Sequence, residues 1–312
     1  MPYLAELTLR LSRAAAALPE DARSRHAAFL RGAEQPGGGF SGRAGGADAY
    51  YTSFALRGLL LLGELDTGLA RRAGAFLTAG AGRPAGAVEL FALLSSSMLI
   101  EAAGGGDCLA AAGFEPAALV EDVLDPLRRP DGGLAKSVRS GASSTYHSFL
   151  AALCRELVGL PAGNTDDIAR MIHSRQREDG GFVELSIMRR SGVNPTAAAI
   201  ALLRMVGALD EPLGRRAARF LGAMQTREGG LRAHAGIPAA DLLSTFTGLV
   251  ALADLGRSDH LDAPAARRFV GSLALPEGGF LAATHDDRPD VEYTFYGIAA
   301  SALLHVGWDE VA

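Results

Sequence analysis

The stretch LGRRAARFLGAMQTREGGL, residues 213–231, joins an amphipathic segment to a Gly-Gly pair followed by a bulky apolar residue. Phe220, Leu221 and Met224 recur at helical spacing, and arginines occupy the opposite face, which predicts a helix with one buried side. Gly-Gly followed by Phe or Leu occurs at four further places, beginning at Gly38, Gly132, Gly180 and Gly278. A single motif that recurs in this way indicates a repeat architecture.

The spacing of the Gly-Gly pairs predicts six repeats. The first glycines of successive pairs lie 94, 48, 49 and 49 residues apart, so the first interval spans two periods. The hidden copy falls near Gly86, where RPAGAVELFALLSSSMLIEAAG (residues 83–104) lacks the Gly-Gly pair but keeps the apolar run that follows it elsewhere. We therefore expect residues 84–103 to form the helix of this worn copy.

The sequence of each repeat predicts one outer helix and one inner helix. The segment before Gly-Gly is amphipathic, whereas the run after it, such as YTFYGIAASALLHVG (residues 293–307), is apolar nearly all round, as in a helix surrounded by protein. The Gly-Gly pairs are expected to end the outer helices. The predicted bounds, after a leading helix at 3–17, are 20–34/48–63, 67–79/86–103, 116–128/143–158, 164–176/194–207, 212–225/241–255 and 262–273/290–306.

The apolar character of the last inner helix indicates a closed ring. An open helical solenoid needs a polar terminal repeat, yet Tyr293 to Val306 is as apolar as the other inner segments. The sequence therefore predicts an all-α fold, a closed α6/α6 barrel (toroid), built as a single domain over residues 1–312. An open superhelix of helix pairs is the alternative.

Composition excludes several classes of protein. A net charge of −5 without a basic block argues against a sequence-independent nucleic-acid binder. Two cysteines are too few for a disulfide scaffold, and no window approaches the apolar length of a transmembrane helix. The amino-terminal stretch carries Glu6 and Arg10 within its apolar residues, so it is interpreted as a helix and not as a secretion signal. We expect a cytoplasmic protein.

The ring geometry predicts an anion-attracting mouth above an apolar interior. Six inner helices that start after equivalent loops bring their amino termini, with free N–H groups and partial positive charge, to one end of the barrel. Aromatic residues of the inner helices either line a cavity beneath this mouth or fill the core completely. A cavity would suit a lipid-like chain that ends in diphosphate.

Polar residues at the inner-helix starts are the candidates for binding and chemistry. Aligning these starts places Thr52, His147, Thr196, Ser244 and Thr294 at equivalent positions. His147 stands out, because an imidazole in the first turn of an apolar helix needs a buried partner or a ligand. The aspartates also suit helix capping. The predicted substrate-binding residues are Arg43, Asp48, Tyr51, His147, Asn194, His234, Asp241 and Tyr296.

Two stretches carry a family resemblance. GGGFSGRAGGADAYYTSFALRGLLLLGEL (residues 37–65) and GGFLAATHDDRPDVEYTFYGIAASALLHVG (residues 278–307) resemble the Gly-Gly-Phe repeats of protein prenyltransferase β subunits, especially the geranylgeranyltransferase type. They are more distantly similar to the repeats of squalene/hopene cyclases. The resemblance implies an isoprenyl diphosphate or other lipid-like ligand in the barrel, and either a helical α-subunit-like partner or a homodimer.

The resemblance also implies a zinc site whose ligands this chain lacks. The family holds zinc with an Asp-x-Cys and a His, but here leucine follows Asp241 at the cysteine position and Tyr293 replaces the histidine. We therefore expect no zinc and no thiolate prenylation. Asp48 and Asp290 are instead the pair that would hold a Mg²⁺ ion bridging to phosphates.

A second reaction is suggested by residues 290–294. Cyclases that protonate an alkene use Asp-x-Asp-Asp-Thr, and Asp-Val-Glu-Tyr-Thr matches three positions if Glu292 stands for the central acid. Asp290, Glu292 and Tyr293 are accordingly the predicted catalytic residues. Three hypotheses remain: an isoprenoid transferase with an altered acceptor site, a class II terpene-cyclase-like enzyme, and a non-catalytic barrel that binds an isoprenoid or a peptide.

Overall fold

Twelve helices alternate between an outer and an inner layer in the computed structural model, which describes residues 1–80 and 82–306. The outer helices are α2 (Glu20–Gly32), α4 (Thr67–Ala79), α7 (Pro116–Leu124), α9 (Thr165–His173), α11 (Glu211–Ala223) and α13 (Ala263–Leu273). The inner helices are α3 (Ala49–Leu61), α5 (Ala87–Ala102), α8 (Thr145–Leu157), α10 (Val193–Met205), α12 (Leu242–Asp254) and α14 (Val291–Val306). Two further helices are the leading α1 (Tyr3–Ala16) and the short α6 (Cys108–Ala111).

The inner helices form a closed ring. Each packs against the next one in the chain, and α14 packs against α3, so the predicted α6/α6 barrel is confirmed over the open superhelix. Helix α5 takes its place between α3 and α8, which confirms the worn second copy as an inner helix. Within residues 1–80 and 82–306, no helix is long and apolar enough to cross a membrane.

The Gly-Gly pairs do not end the outer helices, which corrects the sequence interpretation. Helix α9, for example, ends at His173, and Gly180 lies in a tight turn beyond it, where the Gly180 N–H donates to the Arg177 carbonyl at 2.9 Å. Gly180 has a positive φ of +88°, and a Cβ there would clash with the backbone carbonyl of Arg216 on the next outer helix. The Gly-Gly turn of one repeat therefore packs against the outer helix of the next repeat.

Replacing Gly180 by alanine tests this packing. We expect Gly180→Ala to lower the free energy of unfolding by about 2–4 kcal/mol, since it adds a backbone clash to an unfavourable left-handed conformation. Gly207→Ala is the matched control, because Gly207 has a φ of +70° with open space around it. The control should cost about 1–2 kcal/mol. If urea unfolding shows that the two variants lose the same free energy of unfolding, the packing role of Gly180 is contradicted.

A hydroxyl in the first turn of an inner helix fixes the loop above it. The Oγ1 of Thr52 accepts the N–H of Phe40 at 3.0 Å and donates to the Asp48 carbonyl at 2.6 Å. The equivalent groups in the other Gly-Gly repeats are Ser148, Thr196, Thr245 and Thr294. The predicted alignment was therefore wrong by one residue in the third and fifth copies, where His147 and Ser244 had been matched to Thr52.

The ring closes in the outer layer as well. The last Gly-Gly turn packs against α2, where the Nδ1 of His26 accepts the Gly279 N–H at 3.1 Å and the imidazole lies 4.5 Å from the Phe280 ring. Burial, with a smaller effect of the Arg25 cation, lowers the pKa of His26 to about 4 from a usual 6.5. A neutral imidazole thus joins the two ends of the barrel.

Acid is expected to weaken this closure. The unfolded chain binds a proton at His26 near pH 6.5 and the folded chain only near pH 4, so stability is lost as the pH falls through that window. The expected loss is about 3 kcal/mol. In urea unfolding between pH 7 and 4, His26→Gln should flatten this slope, whereas the exposed His285→Gln should keep it. A wild-type slope in His26→Gln would count against the assignment.

Helix α1 forms a floor beneath the ring. Its first N–H groups, at Tyr3 and Leu4, donate to the Glu156 carboxylate at 2.8 and 3.0 Å. Near the carboxyl end of α12, Asp254 accepts hydrogen bonds from the Tyr3 hydroxyl at 2.7 Å and from Arg10 at 3.0 Å. The predicted leading helix is confirmed, and its position at the carboxyl ends of the inner helices closes that side of the barrel.

Candidate active site in the barrel

A cavity of about 460 Å³ occupies the barrel between the mouth and the floor. It is lined at the mouth by Tyr146 and Asn194 and at the floor by Tyr3 and Leu7. The aromatic residues of the inner helices therefore line an open space and do not fill the core. Its volume lies in the range of small-molecule sites, and its walls are mainly apolar.

The lining residues recur at fixed positions after each inner-helix cap. The second residue after the cap forms an upper layer, the fifth and sixth a middle layer, and the ninth a lower layer. The upper layer consists of Tyr50, Val88, Tyr146, Asn194, Leu243 and Glu292. The middle layer includes Phe54, Phe91, Phe149, Ala197, Ala198, Phe246, Thr247 and Tyr296. The lower layer comprises Arg57, Leu153, Ala201 and Val250.

Glu292 is the residue of the upper layer that carries a carboxyl group, and it lines the cavity above the aromatic residues of the middle layer. Its Oε1 accepts hydrogen bonds from the Tyr50 hydroxyl at 2.9 Å and from the Tyr296 hydroxyl at 3.2 Å. Desolvation raises the pKa of Glu292, while the two tyrosine donors oppose the rise. The desolvation favours the protonated carboxyl, and the two tyrosine donors stabilise the anion left after its transfer.

Aromatic rings surround the space below Glu292. The Phe246 ring is stacked on Tyr296 at 5.3 Å, and Phe54 meets Tyr296 edge-on at 5.4 Å. Burial and the nearby Glu292 carboxyl raise the pKa of Tyr296, so its phenol stays protonated. These rings offer electron-rich faces to a ligand without presenting a nucleophile.

Three of the predicted site residues line the cavity: Glu292, Tyr296 and Asn194. The Oδ1 of Asn194 accepts a hydrogen bond from Thr247 Oγ1 at 2.7 Å, which ties two neighbouring inner helices together at the mouth. The side-chain nitrogen of Asn194 is left as a donor to a ligand.

The predicted aspartates cap helices. Asp48 accepts the Tyr51 N–H at 2.7 Å, Asp241 accepts the Ser244 N–H at 2.7 Å, and Asp290 accepts the Tyr293 N–H at 2.9 Å. None of the three lines the cavity. Their carboxylates also place negative charge at the helix amino termini, which weakens the expected attraction of the mouth for anions.

Arg43 is held by carboxylates of the last loop. Its guanidinium pairs with Asp286 at 2.5 Å and with Asp290 at 2.8 Å, and it lies 5.4 Å from the centre of the Tyr293 ring. Burial and the neighbouring carboxylates raise the pKa of Tyr293 to about 12. The arginine chosen as an anion contact is therefore already neutralised, and Tyr293 lies beneath it, outside the cavity lining.

The remaining predicted residues also lie outside the lining. The Nδ1 of His147 lies 2.8 Å from the Oγ of the capping Ser144, and desolvation lowers the pKa of the imidazole. His234 accepts the Gly236 N–H in its own loop at 3.1 Å. The Tyr51 ring packs against Gly42, where an added Cβ would clash with it. These contacts give His147 the buried partner that its position required.

The residues at the family's metal position do not fit a zinc ion. Asp241 uses one oxygen for the Ser244 N–H and the other for the Ser244 hydroxyl at 2.8 Å, and Leu242 and Leu243 follow it. In residues 1–80 and 82–306, no group of three or more His, Cys, Asp or Glu side chains could hold a metal ion. Asp48 and Asp290 each cap an inner helix, and the Mg²⁺ ion expected at this pair stays a prediction. The expected absence of zinc stays a prediction.

Sequence reasoning missed the cation inside the barrel. Arg57 lines the lower layer of the cavity but is not among the site residues predicted from the sequence. An arginine on a helix that is otherwise buried on all sides is the signal that could have identified it. No sequence pattern indicates the hydrogen bond between Tyr50 and Glu292, which lie 242 positions apart in the chain.

Comparisons with known proteins agree with this architecture. The family model of the prenyltransferase alpha-alpha toroid domain matches residues 10–232 and 196–312. No curated protein sequence matches the chain.

Solved structures similar to this chain include members with isoprenoid ligands. Candida albicans protein geranylgeranyltransferase-I complexed with GGPP has a TM-score of 0.66 and 14% identity, and the match covers 95% of this chain and 90% of that one. A variant of the type II terpene cyclase MstE from Scytonema, in complex with geranylgeranyl dihydroxybenzoate, has a TM-score of 0.60, 14% identity and coverages of 100% and 99%. A protein from Actinoplanes has a TM-score of 0.60, 16% identity and coverages of 90% and 97%. At these identities the likeness shows the fold alone.

Proposed function

Because the chain belongs to the prenyltransferase alpha-alpha toroid domain family, we propose that its cavity binds a polyene substrate of the isoprenoid class and that Glu292 protonates an alkene of that substrate. The observation that carries the proposal is the Glu292 carboxyl itself. It faces an apolar, aromatic cavity with one oxygen engaged by two tyrosine hydroxyls. The other oxygen is left for a proton that can reach a ligand.

The proposed reaction is an isomerisation. The O–H bond of Glu292 breaks while a C–H bond forms at the less substituted alkene carbon, which leaves a cation at the more substituted carbon. A second alkene of the same chain attacks this cation and closes a ring, and loss of a proton from the new cation to the Glu292 carboxylate restores the acid. No oxidant, metal or second substrate is consumed, and the product has the elemental composition of the substrate.

The cavity walls suit such a reaction. Phe54, Phe246 and Tyr296 line the cavity, and their rings can stabilise positive charge on the substrate chain. Excluding water from this space prevents early capture of the cation. The tyrosine donors to Glu292 stabilise the carboxylate that forms when the proton leaves.

Transfer of an isoprenyl group from its diphosphate remains the competing function. The similarity to a geranylgeranyltransferase bound to GGPP favours it, and exposed cations at the mouth, among them Lys136, Arg139 and Arg189, carry no ion pair within the described chain. The pairing of Arg43 with two aspartates weighs against it. Binding of an isoprenyl diphosphate at the mouth, with or without Mg²⁺, stays a prediction, as do the second subunit or homodimer and the cytoplasmic location.

Product analysis distinguishes these functions. The purified protein is incubated separately with geranylgeraniol, geranylgeranoic acid and geranylgeranyl diphosphate, the last with and without Mg²⁺, and the extracts are analysed by gas chromatography and mass spectrometry. The proposal predicts cyclised isomers of unchanged mass from at least one polyene. Release of inorganic diphosphate, with water taking the prenyl group in the absence of another acceptor, would indicate the transferase, and recovery of every probe unchanged would contradict the proposed cyclisation.

A further inference from the structure

Arg57 places a cation inside the cavity, against rings of the middle layer. It is the ninth residue after the α3 cap, in the lower layer. Its guanidinium carbon lies 4.0 Å from the centre of the Phe295 ring, 5.5 Å from that of Phe54 and 5.9 Å from that of Phe91. The charge is therefore held against aromatic faces, with the apolar floor below it.

No carboxylate among the described residues pairs with this cation. Across residues 1–80 and 82–306, Arg57 has neither a hydrogen bond nor an ion pair. The two carboxylates that line the cavity are engaged elsewhere, since Glu292 binds Tyr50 and Tyr296 and Glu184 binds the Ser144 hydroxyl. Desolvation lowers the pKa of Arg57, yet arginine keeps its proton in proteins. The ring faces offset only part of the cost of holding an unpaired charge at the apolar wall of the cavity.

We propose that Arg57 binds the carboxylate of a polyene carboxylic acid, which seats its acidic end beside these rings, above the floor of the cavity. A planar guanidinium forms paired hydrogen bonds with a carboxylate, and a single cation matches its single charge. A diphosphate carries more charge than one arginine can neutralise, and Arg57 is the only basic side chain in the cavity lining within the described chain. The inference rests on the proposal that this cavity binds the substrate, but it does not require proton transfer by Glu292.

The layering orients such a ligand. Tyr50 and Glu292 share the upper layer and are hydrogen-bonded, so α3 and α14 are in register. The Cα of Arg57 lies about 10 Å below that of Tyr50 along the barrel at the rise of an α-helix, and the guanidinium reaches the rings of the middle layer. Across the cavity, α10 contributes the small side chains Ala197, Ala198 and Ala201, which leave room for the chain. With its carboxylate at Arg57, the ligand presents its distal alkenes to Glu292.

Calorimetric titration with a matched pair of ligands tests this orientation. Geranylgeranoic acid and geranylgeraniol differ in the carboxylate but share the chain. We expect wild type to bind the acid about 10- to 100-fold more tightly at pH 8, the range for a charge-assisted hydrogen-bonded pair. Arg57→Met should abolish this preference while binding of the alcohol persists, and Arg57→Lys should retain part of it.

Arg43→Met is the matched control, because it removes an arginine of the mouth that is already paired. It should keep the preference for the acid. Equal affinities of wild type for the two ligands, absence of saturable binding, or loss of the preference in Arg43→Met but not in Arg57→Met would overturn the proposal. The two claims can fail separately: an Arg57-dependent preference in wild type without any cyclised product, or undiminished product from Glu292→Gln, would refute the proton transfer and leave the carboxylate site standing.

Discussion

Glu292→Gln is expected to reduce formation of cyclised product by about 10³-fold while changing the affinity for geranylgeranoic acid less than threefold. General acids contribute about 10²- to 10⁴-fold, and glutamine keeps the size and hydrogen-bonding oxygen of Glu292 but cannot release a proton. Product formation is measured by gas chromatography and mass spectrometry under single-turnover conditions, and affinity by calorimetry.

Two controls separate acidity from packing at this position. Glu292→Asp keeps the acid and should retain part of the activity, whereas Tyr50→Phe removes one donor to Oε1 and should slow the reaction less than the loss of the acid itself. Undiminished product formation in Glu292→Gln would show that another group supplies the proton.

The pH dependence of stability provides an independent measure of the same group. Burial raises the pKa of Glu292 above its ordinary 4.5. The folded protein therefore holds this proton more tightly than the unfolded chain, and the stability gained is present below pH 4.5 and lost as the pH rises through the raised pKa. Urea unfolding of wild type and Glu292→Gln should diverge in this direction above pH 4.5. If Glu292 had the pKa of an exposed carboxyl, the free energies of unfolding of wild type and Glu292→Gln would change in parallel with pH.

Asp254→Ala is expected to lower the free energy of unfolding by about 3–5 kcal/mol, the usual cost of breaking a buried ion pair on one side. The Asp254 side chain is 1% exposed and accepts hydrogen bonds from Tyr3, Arg10 and Arg204, so its removal leaves buried donors unpaired. The loss should appear in urea unfolding and in the melting temperature. Because Tyr3 and Arg10 belong to α1, the floor of the cavity should loosen as well.

Asp66→Ala serves as the control for this change. Asp66 caps α4 and pairs with Arg31 at the surface, with its side chain 56% exposed. Loss of a cap and an exposed pair should cost about 1–2 kcal/mol. If Asp254→Ala destabilises the protein no more than this control does, the hydrogen bonds that Asp254 accepts do not hold α1 in place.

The repeat period was sufficient to predict the helices and the closed ring. Each Gly-Gly copy specified an amphipathic and an apolar segment, and the apolar run after Gly86 identified α5 without the motif. The period could not define the register within a turn, because in the third and fifth copies two polar residues stand side by side, His147 with Ser148 and Ser244 with Thr245. Only the hydrogen bond to the preceding loop shows which one is equivalent to Thr52.

The candidate site was harder to predict than the fold. Polar residues at helix starts are needed for capping, and Asp48, Asp241 and Asp290 serve that purpose whether or not a ligand binds. Which side chains face the cavity depends on the rotation of each inner helix and on the floor that α1 provides. The sequence therefore singled out Glu292 and Tyr296 but not the hydrogen bond from Tyr50 to Glu292, nor the position of Arg57 in the cavity.

Mass analysis of the product formed in D₂O tests the proton transfer from Glu292 most directly. A carboxyl group that exchanges with solvent delivers deuterium to the alkene carbon that it protonates. Incubation of the purified protein with geranylgeranoic acid in D₂O should therefore yield a cyclised isomer that carries one additional deuterium, and Glu292→Gln should yield none. A cyclised product without deuterium, or labelled product in undiminished amount from Glu292→Gln, would contradict the assignment of Glu292 as the acid.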